Sequence, residues 1–403
     1  MAPIAPFSTA RLPRIVFGAK TSQTIPGEVR ALGKRALIVT GAKSFKATPH
    51  WQSLIDGLEA KGVDWEHLSV AGEPSPELVD GAVREHGGAG MDGGGIDVVV
   101  GIGGGSALDA AKAVAGLLVP GNSVIDHLEG VGPEMPYGGP SVPLIAVPTT
   151  AGTGSEATSN AVLSRHGQDG FKKSFRHDGL VARVAIVDPG LVASCPREVL
   201  AANGMDAFTQ LLESFVSMRT NPVAEALALS GLEAFMLGFF EALEGKGDDR
   251  PAGLSNLCYA SLTSGIVLAQ TGLGSVHGLA QPLGSLFEIP HGVVCGTLVA
   301  EATDVNIQAL ENREPDNPAL GKYARIGALA AGAPFDDEQK ARAGLVKVLR
   351  KWTERLALPR LSEYGVTAAD IERVAAGSRG SSMKTNPIRL TGGEVAQVVR
   401  RRL

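Results

Sequence analysis

The chain is predicted to divide into an α/β half with a parallel sheet and an all-helical half, and three observations predict it. Short apolar runs alternate with helix-periodic segments up to about residue 190; beyond that point no strand-like run occurs; and two of the apolar runs end directly in polar, glycine-containing turns. Strand–helix alternation of this kind implies a parallel sheet with helices on both faces. We therefore expect an α/β domain over residues 1–190 and an all-helical domain over 191–403.

Each element follows from its pattern. RALIVTG (35–41) is a short apolar run ending in glycine, a buried strand. PHWQSLIDGLEAKG (49–62) carries helical spacing at Trp51, Leu54 and Leu58, and VDWEHLSV (63–70) reads as a strand. SPELVDGAVREHG (75–87) is a helix capped by Ser75. GGAGMDGGG (87–95) is a surface loop, IDVVVGIG (96–103) a strand and SALDAAKAVAGLL (106–118) a helix. PLIAVPTT (143–150) and VARVAIVDP (181–189) are further strands. From Pro196 onward the segments are long, apolar and helix-periodic, enough for six or more helices.

Composition excludes several function classes. With 37 basic and 42 acidic residues the formal net charge is −5, which argues against a nucleic-acid binder with a basic face. Arg400–Arg402 reads as the solvated end of a last helix. Cys195, Cys258 and Cys295 are scattered and odd in number, so no disulfide framework or CxxC knuckle is expected; reduced thiols and a cytoplasmic location are the plain reading. No signal peptide and no membrane span is expected.

Two stretches point to phosphate. VVVGIGGGSALDAAK (98–112) runs from strand through Gly103, Gly104, Gly105 and Ser106 into a helix, whose N-terminal N–H groups and dipole favour an anion. It is neither a GxGxxG fingerprint nor a P-loop, and a tight turn with no ligand is the alternative. PTTAGTGSEAT (148–158) follows another strand and sets hydroxyls among glycines at the same sheet edge, where open α/β sheets bind ligands.

A metal is the other question. HGLAQPLGSLFEIPH places His277 and His291 fourteen residues apart, and MDAFTQLLESF (205–215) is an amphipathic helix with Asp206 and Gln210 on one face. Asp206, His277 and His291 would give three ligands and leave a position open for substrate. By spacing alone each histidine reads equally as a core or surface residue.

GGGSALDAAK, PTTAGTGSE, AIVDPGL, GMDAFTQ and the histidine pair occur in this order, with LPRIVFGAK near the start and SSMKTNPIRLT near the end. Together they resemble the iron-containing (group III) alcohol dehydrogenase family, which includes the maleylacetate reductases, and the resemblance covers essentially the whole chain. It implies a dehydroquinate synthase-like fold: an α/β nucleotide-binding domain, an all-helical C-terminal domain and an active site in the cleft between them. It implies hydride transfer between a nicotinamide cofactor and a small alcohol/aldehyde pair, in a homo-oligomer. Asp206, His277 and His291 fall on three of the family's metal ligands, for Fe²⁺ or Zn²⁺, with the two histidines catalytic. The fourth ligand, usually a histidine, is Gln210 here, and a further family histidine is Gln281. An amide oxygen is a weaker ligand than imidazole and cannot relay a proton.

Family members that prefer NAD often carry an aspartate after the first strand, where it accepts from the ribose 2′-hydroxyl and repels a 2′-phosphate. Gly41 stands there, followed by Lys43, Ser44 and Lys46, which favours NADP over NAD; a loop tolerating both is the alternative. The resemblance also implies that Gly103, Gly104, Gly105 and Ser106 bind the pyrophosphate, that Thr149, Thr150 and Thr153 line the nucleotide loop, and that Asp109 and Lys172 reach the cofactor. Asp109 reads equally as support for its helix turn, and Lys172 as a surface lysine. Two alternatives stay open: a maleylacetate reductase-type enzyme, with Arg176 and Arg219 as basic candidates, and a nucleotide-binding homologue without catalysis.

Overall fold

The computed structural model describes residues 4–88, 95–165 and 170–403. In chain order the α/β half runs β1 (Arg14–Phe17), α1 (Ile25–Leu32), β2 (Arg35–Gly41), α2 (Pro49–Ala60), β3 (Asp64–Val70), α3 (Pro76–His86), β4 (Val98–Gly103), α4 (Gly105–Leu117), β5 (Leu144–Pro148), β6 (Asn160–Arg165), β7 (Phe171–Arg176) and β8 (Val184–Val187). Six strands form one parallel sheet in the order β1-β8-β5-β4-β2-β3. The apolar runs are strands because both faces are covered. On β2, Ala36 and Ile38 face α1 and α2, while Leu37 and Val39 face α3 and α4.

Because α2 and α4 lie on opposite faces, the sheet has a switch point between β2 and β4, where such sheets open a crevice at their carboxyl ends. Gly41 and Gly103 end those two strands side by side: a Cβ on Gly103 would lie 3.5 Å from the Gly41 nitrogen. Gly103 also pairs with Pro148, so the glycine turn and the 148–158 loop leave the sheet together.

The expected elements are present, with Ser75 capping α3 through the Leu78 N–H at 3.3 Å. Three elements lie outside the periodicity reading: β1, α1 and the antiparallel hairpin β6–β7. The hairpin is half polar, and its buried residues are Ala161, Leu163 and Phe175 together with Ser164, which donates to Glu73. The glycine-rich stretch read as a surface loop falls mainly on residues 89–94, outside the described residues.

From residue 189 onward the described residues contain helices and no strand: α5 (Pro189–Val192), α6 (Arg197–Val216), α7 (Pro222–Glu244), α8 (Asp249–Thr271), α9 (Ser275–Leu286), α10 (His291–Arg313), α11 (Ala319–Ala331), α12 (Glu338–Arg355), α13 (Ile371–Gly377) and α14 (Gly392–Arg400). By length and composition α7 and α8 could each cross a membrane, yet they pack tightly on each other. A Cβ on Gly231 would come within 2.4 Å of Thr263, and one on Gly238 within 2.4 Å of Asn256. On α6 the polar residues Asp206, Gln210 and Glu213 are buried along with the apolar stripe, and Gln210 lines a cleft. The terminal arginines are also not simply solvated. Arg401 bridges Glu301 and Asp304, and Arg402 donates to Thr297 and the Leu358 carbonyl, so the last residues are tied to α10.

Candidate active site

A cavity of about 480 Å³ lies between the halves, in the ordinary range for a small-molecule site. Gly105, Ser106, Asp109, Thr153 and Lys172 line it from the α/β side, and Gln210, His277, Gln281 and His291 from the helical side.

On the α/β side, α4 starts at Gly105 immediately after β4, so its first N–H groups lack intrahelical partners. The turn is open because its residues have no side chains: a Cβ on Gly104 would sit 3.4 Å from Thr150, and one on Gly105 3.1 Å from Thr153. Thr149 N–H donates to the Gly103 carbonyl at 2.9 Å, which fixes the 148–158 loop against the turn. This bare N-terminal floor with threonines beside it fits a phosphate. Asp109 is held by protein groups: Val162 N–H donates to it at 3.2 Å, Lys112 Nζ lies 3.2 Å away, and Ser155 Oγ donates to it as well. Lys172 pairs with Glu73, and Glu73 in turn feels His291. At the far end of the crevice, Ser44 Oγ lies 3.9 Å from where a Gly41 Cβ would be, and Lys43 and Lys46 are exposed beside it.

Glu156 is the buried outlier of the loop. It is fully enclosed, its Oε1 lacks a partner, and burial pushes its carboxyl up to about 7 against the pull of Lys112. A folded-state pKa raised from 4.5 to about 7 means that stability from this group is complete below about pH 4.5 and lost as pH rises through 7. Glu156→Gln keeps the shape and removes the titration. The variant is expected to gain about 3 kcal/mol over wild type between pH 5 and 8, on the scale of 1.36 kcal/mol per pKa unit. Melting curves of both proteins at the two pH values check this; parallel shifts would contradict it.

On the helical side, His277 is the third residue of α9 and His291 the first of α10, set by Pro290 at its N-cap. Glu213 orients the first histidine. Its carboxylate accepts from Gly274 N–H at 2.9 Å and Val276 N–H at 2.7 Å, and from His277 Nδ1 at 2.7 Å. That leaves the lone pair of His277 Nε2 directed at Asp206 Oδ1, 3.2 Å away, with His291 Nε2 3.8 Å from the same oxygen. Acceptors facing one another need a cation or a proton between them. The electrostatics of the site agree. Burial opposes protonation of His277, but Cys295, Asp206 and Glu213 carry it well above its ordinary value. Burial would raise Asp206, yet His291, His277 and Cys295 bring it down to about 2. His291 falls to about 4, first through desolvation, although 31% of its side chain still faces the cleft.

The donor set fits a divalent metal. Asp206, His277, His291 and Cys295 each offer one ligand atom, all within 4.8 Å of one another. Gln210 lies beside them without turning its oxygen inward: Nε2 donates to Asp206 Oδ2 at 3.2 Å, and Oε1 accepts from Ser264 Oγ at 2.9 Å. Cys295 and Glu213 escaped the sequence reading. The signal existed, since Cys295 is four residues after His291 and Glu213 seven after Asp206, each on its partner's helix face. Of the two basic candidates, Arg176 lines the cleft with Lys173 and Lys384, while Arg219 is exposed and outside its lining.

The sequence matches the iron-containing alcohol dehydrogenase family over residues 13–189 and the C-terminal part of the Fe-containing alcohol dehydrogenase family over 200–403. It is 33% identical to 4-hydroxybutyrate dehydrogenase of Cupriavidus necator over 92% of both chains. It is 32% identical to long-chain-alcohol dehydrogenase 1 of Geobacillus thermodenitrificans over 87% of this chain and 84% of the other. An archaeal halo-thermophilic alcohol dehydrogenase from a Red Sea brine pool superposes with a TM-score of 0.88 at 26% identity over the full length of both chains. A nucleotide-ready sheet edge facing an acid–imidazole cluster is thus joined to agreement along the whole chain: this protein belongs to the iron-containing alcohol dehydrogenase family and is an oxidoreductase acting on CH–OH groups.

Proposed function

We propose that the protein is a metal-dependent alcohol dehydrogenase or aldehyde reductase that moves hydride between NAD(P)H and a small alcohol/aldehyde pair, with residues 1–190 holding the dinucleotide and 191–403 the metal and substrate. The observation that carries this reading is that Gly105 and Ser106 of the open glycine turn and His277 and His291 of the acid–imidazole cluster line one cavity. When bound, the cofactor supplies or takes the hydride, and the metal supplies Lewis acidity toward the substrate oxygen. The chain's own residues do the positioning. Gly103–Ser106 and the threonines at 149, 150 and 153 hold the pyrophosphate, and Lys172 reaches the cofactor from the hairpin. Asp206, His277 and His291 hold the metal, Glu213 and Gln210 fix their orientation, and water carries the proton, since Gln281 does not titrate. Aldehyde-dependent NADPH oxidation that is lost on chelation and restored by Zn²⁺ or Fe²⁺ tests the reading; turnover indifferent to metal would favour the maleylacetate reductase type. That alternative has one support, the basic wall of Lys173, Arg176 and Lys384, which suits an acidic substrate.

The cofactor reading is NADP over NAD, since Gly41 leaves room beside Ser44, Lys43 and Lys46 for a 2′-phosphate. Gly41→Asp is expected to raise the NADPH KM about tenfold or more with little change for NADH, because like charges placed together cost over 1 kcal/mol. Steady-state kinetics with both cofactors check it; an unchanged preference would sink it.

A further inference from the structure

We propose that Cys295 is a metal ligand, so that the site is Asp206–His277–His291–Cys295, with the thiolate replacing the imidazole that Gln210 cannot supply. The inference rests on the metal site of the proposed function. Cys295 is fully buried one turn after His291 on α10, and its sulfur is within hydrogen-bonding reach of both histidines of the cluster. Its sulfur lies 3.6 Å from His277 Nε2 and 3.8 Å from His291 Nε2, and Asp206 Oδ1 lies 3.2 Å from His277 Nε2 and 3.8 Å from His291 Nε2. A tetrahedral ion with nitrogen and oxygen ligands at about 2.0–2.1 Å and sulfur at about 2.3 Å has edges of about 3.3–3.6 Å. Four of the six donor–donor separations, at 3.2–3.8 Å, therefore already stand close to the edges such an ion needs, and all four donors lie within 4.8 Å of one another.

Gln210 does not compete for that corner. Its oxygen is engaged by Ser264, and its amide nitrogen braces the far oxygen of Asp206, which leaves Oδ1 turned to the histidines. In this reading Gln210 is a positioning residue. Substrate would approach past His291, whose side chain is 31% exposed against 6% for His277, and these residues would leave a bound ion room to accept the substrate oxygen there. One thiolate among two imidazoles and a carboxylate softens the site, so it discriminates for Zn²⁺ or Co²⁺ and against Mn²⁺ or Mg²⁺.

The full-length protein loaded with Zn²⁺ is examined by X-ray absorption at the zinc edge. One sulfur scatterer at about 2.3 Å beside a nitrogen/oxygen shell is expected. A zinc-loaded protein with nitrogen and oxygen neighbours only overturns the inference and leaves the metal reading standing; failure to take up metal overturns both. In the Co²⁺ form, a near-ultraviolet thiolate charge-transfer band is expected and is lost in Cys295→Ser while the visible ligand-field bands persist. The same variant is expected to lose about tenfold or more in Zn²⁺ affinity, at least the loss seen for outer-shell partners. Identical near-ultraviolet spectra in the two proteins would again sink the idea.

Discussion

Replacing His277 with alanine is expected to lower kcat by about a thousandfold or more and to strip the metal, while NADPH binding stays within about threefold of wild type. The magnitude follows from the several kcal/mol that a Lewis-acid metal contributes, at 1.36 kcal/mol per tenfold in rate. The separation of the two effects follows from the architecture. His277 sits on α9, whereas the glycine turn is built by β4, α4 and the loop after β5. The variant should fold, because Glu213 still accepts from the Gly274 and Val276 N–H groups that begin α9. Metal analysis, steady-state kinetics and a fluorescence titration with NADPH read the three quantities separately. Loss of NADPH binding in a well-folded variant would place His277 with the nucleotide rather than with the metal.

The second large effect is expected at a place with no chemistry. Gly154 and Gly265 meet backbone to backbone, where the 148–158 loop lies on α8. A Cβ on Gly265 would come within 2.1 Å of the Gly154 carbonyl oxygen, and Gly154 itself has φ +61° with a would-be Cβ 2.4 Å from the Gly265 nitrogen. No rotamer relieves a contact between two backbones, so Gly265→Ala must push the loop off the helix. Overpacking of this kind costs about 1–3 kcal/mol. The same loop presents Thr150 and Thr153 to the glycine turn, so the cost appears twice, as a Tm lowered by several degrees and as NADPH binding weakened at least tenfold. A Tm and a Kd for NADPH both unchanged would show that the close approach is relaxed in solution.

Local signals made much of this legible. The strands that became the sheet core are apolar on both faces, and the turn at Gly103–Ser106 announces itself because only glycines allow it to be bare. Asp206, His277 and His291, distant in sequence, have ligand atoms within 4.8 Å of one another. What escaped depends on contacts distant in sequence or on mixed patterns. The β6–β7 hairpin is half polar and has no clean alternation. The Lys172–Glu73 pair joins residues 99 apart. Cys295 was read by count, as one of three scattered thiols, when its meaning lies in its distance from His291 along a helix. Glu213 escaped because its partners, the Gly274 and Val276 N–H groups and His277, lie more than sixty residues away in sequence.

The fold has a consequence for cooperativity. Ala151, Ala157 and Val187 come from the α/β half, yet they are buried in the same apolar core as the helical bundle, against residues such as Leu200, Met205 and Ile266. A chain divided near residue 190 would leave that shared core open on both fragments. The α/β half is then expected to be less stable alone than in the intact chain, because its 148–158 loop would lose the helices it packs on.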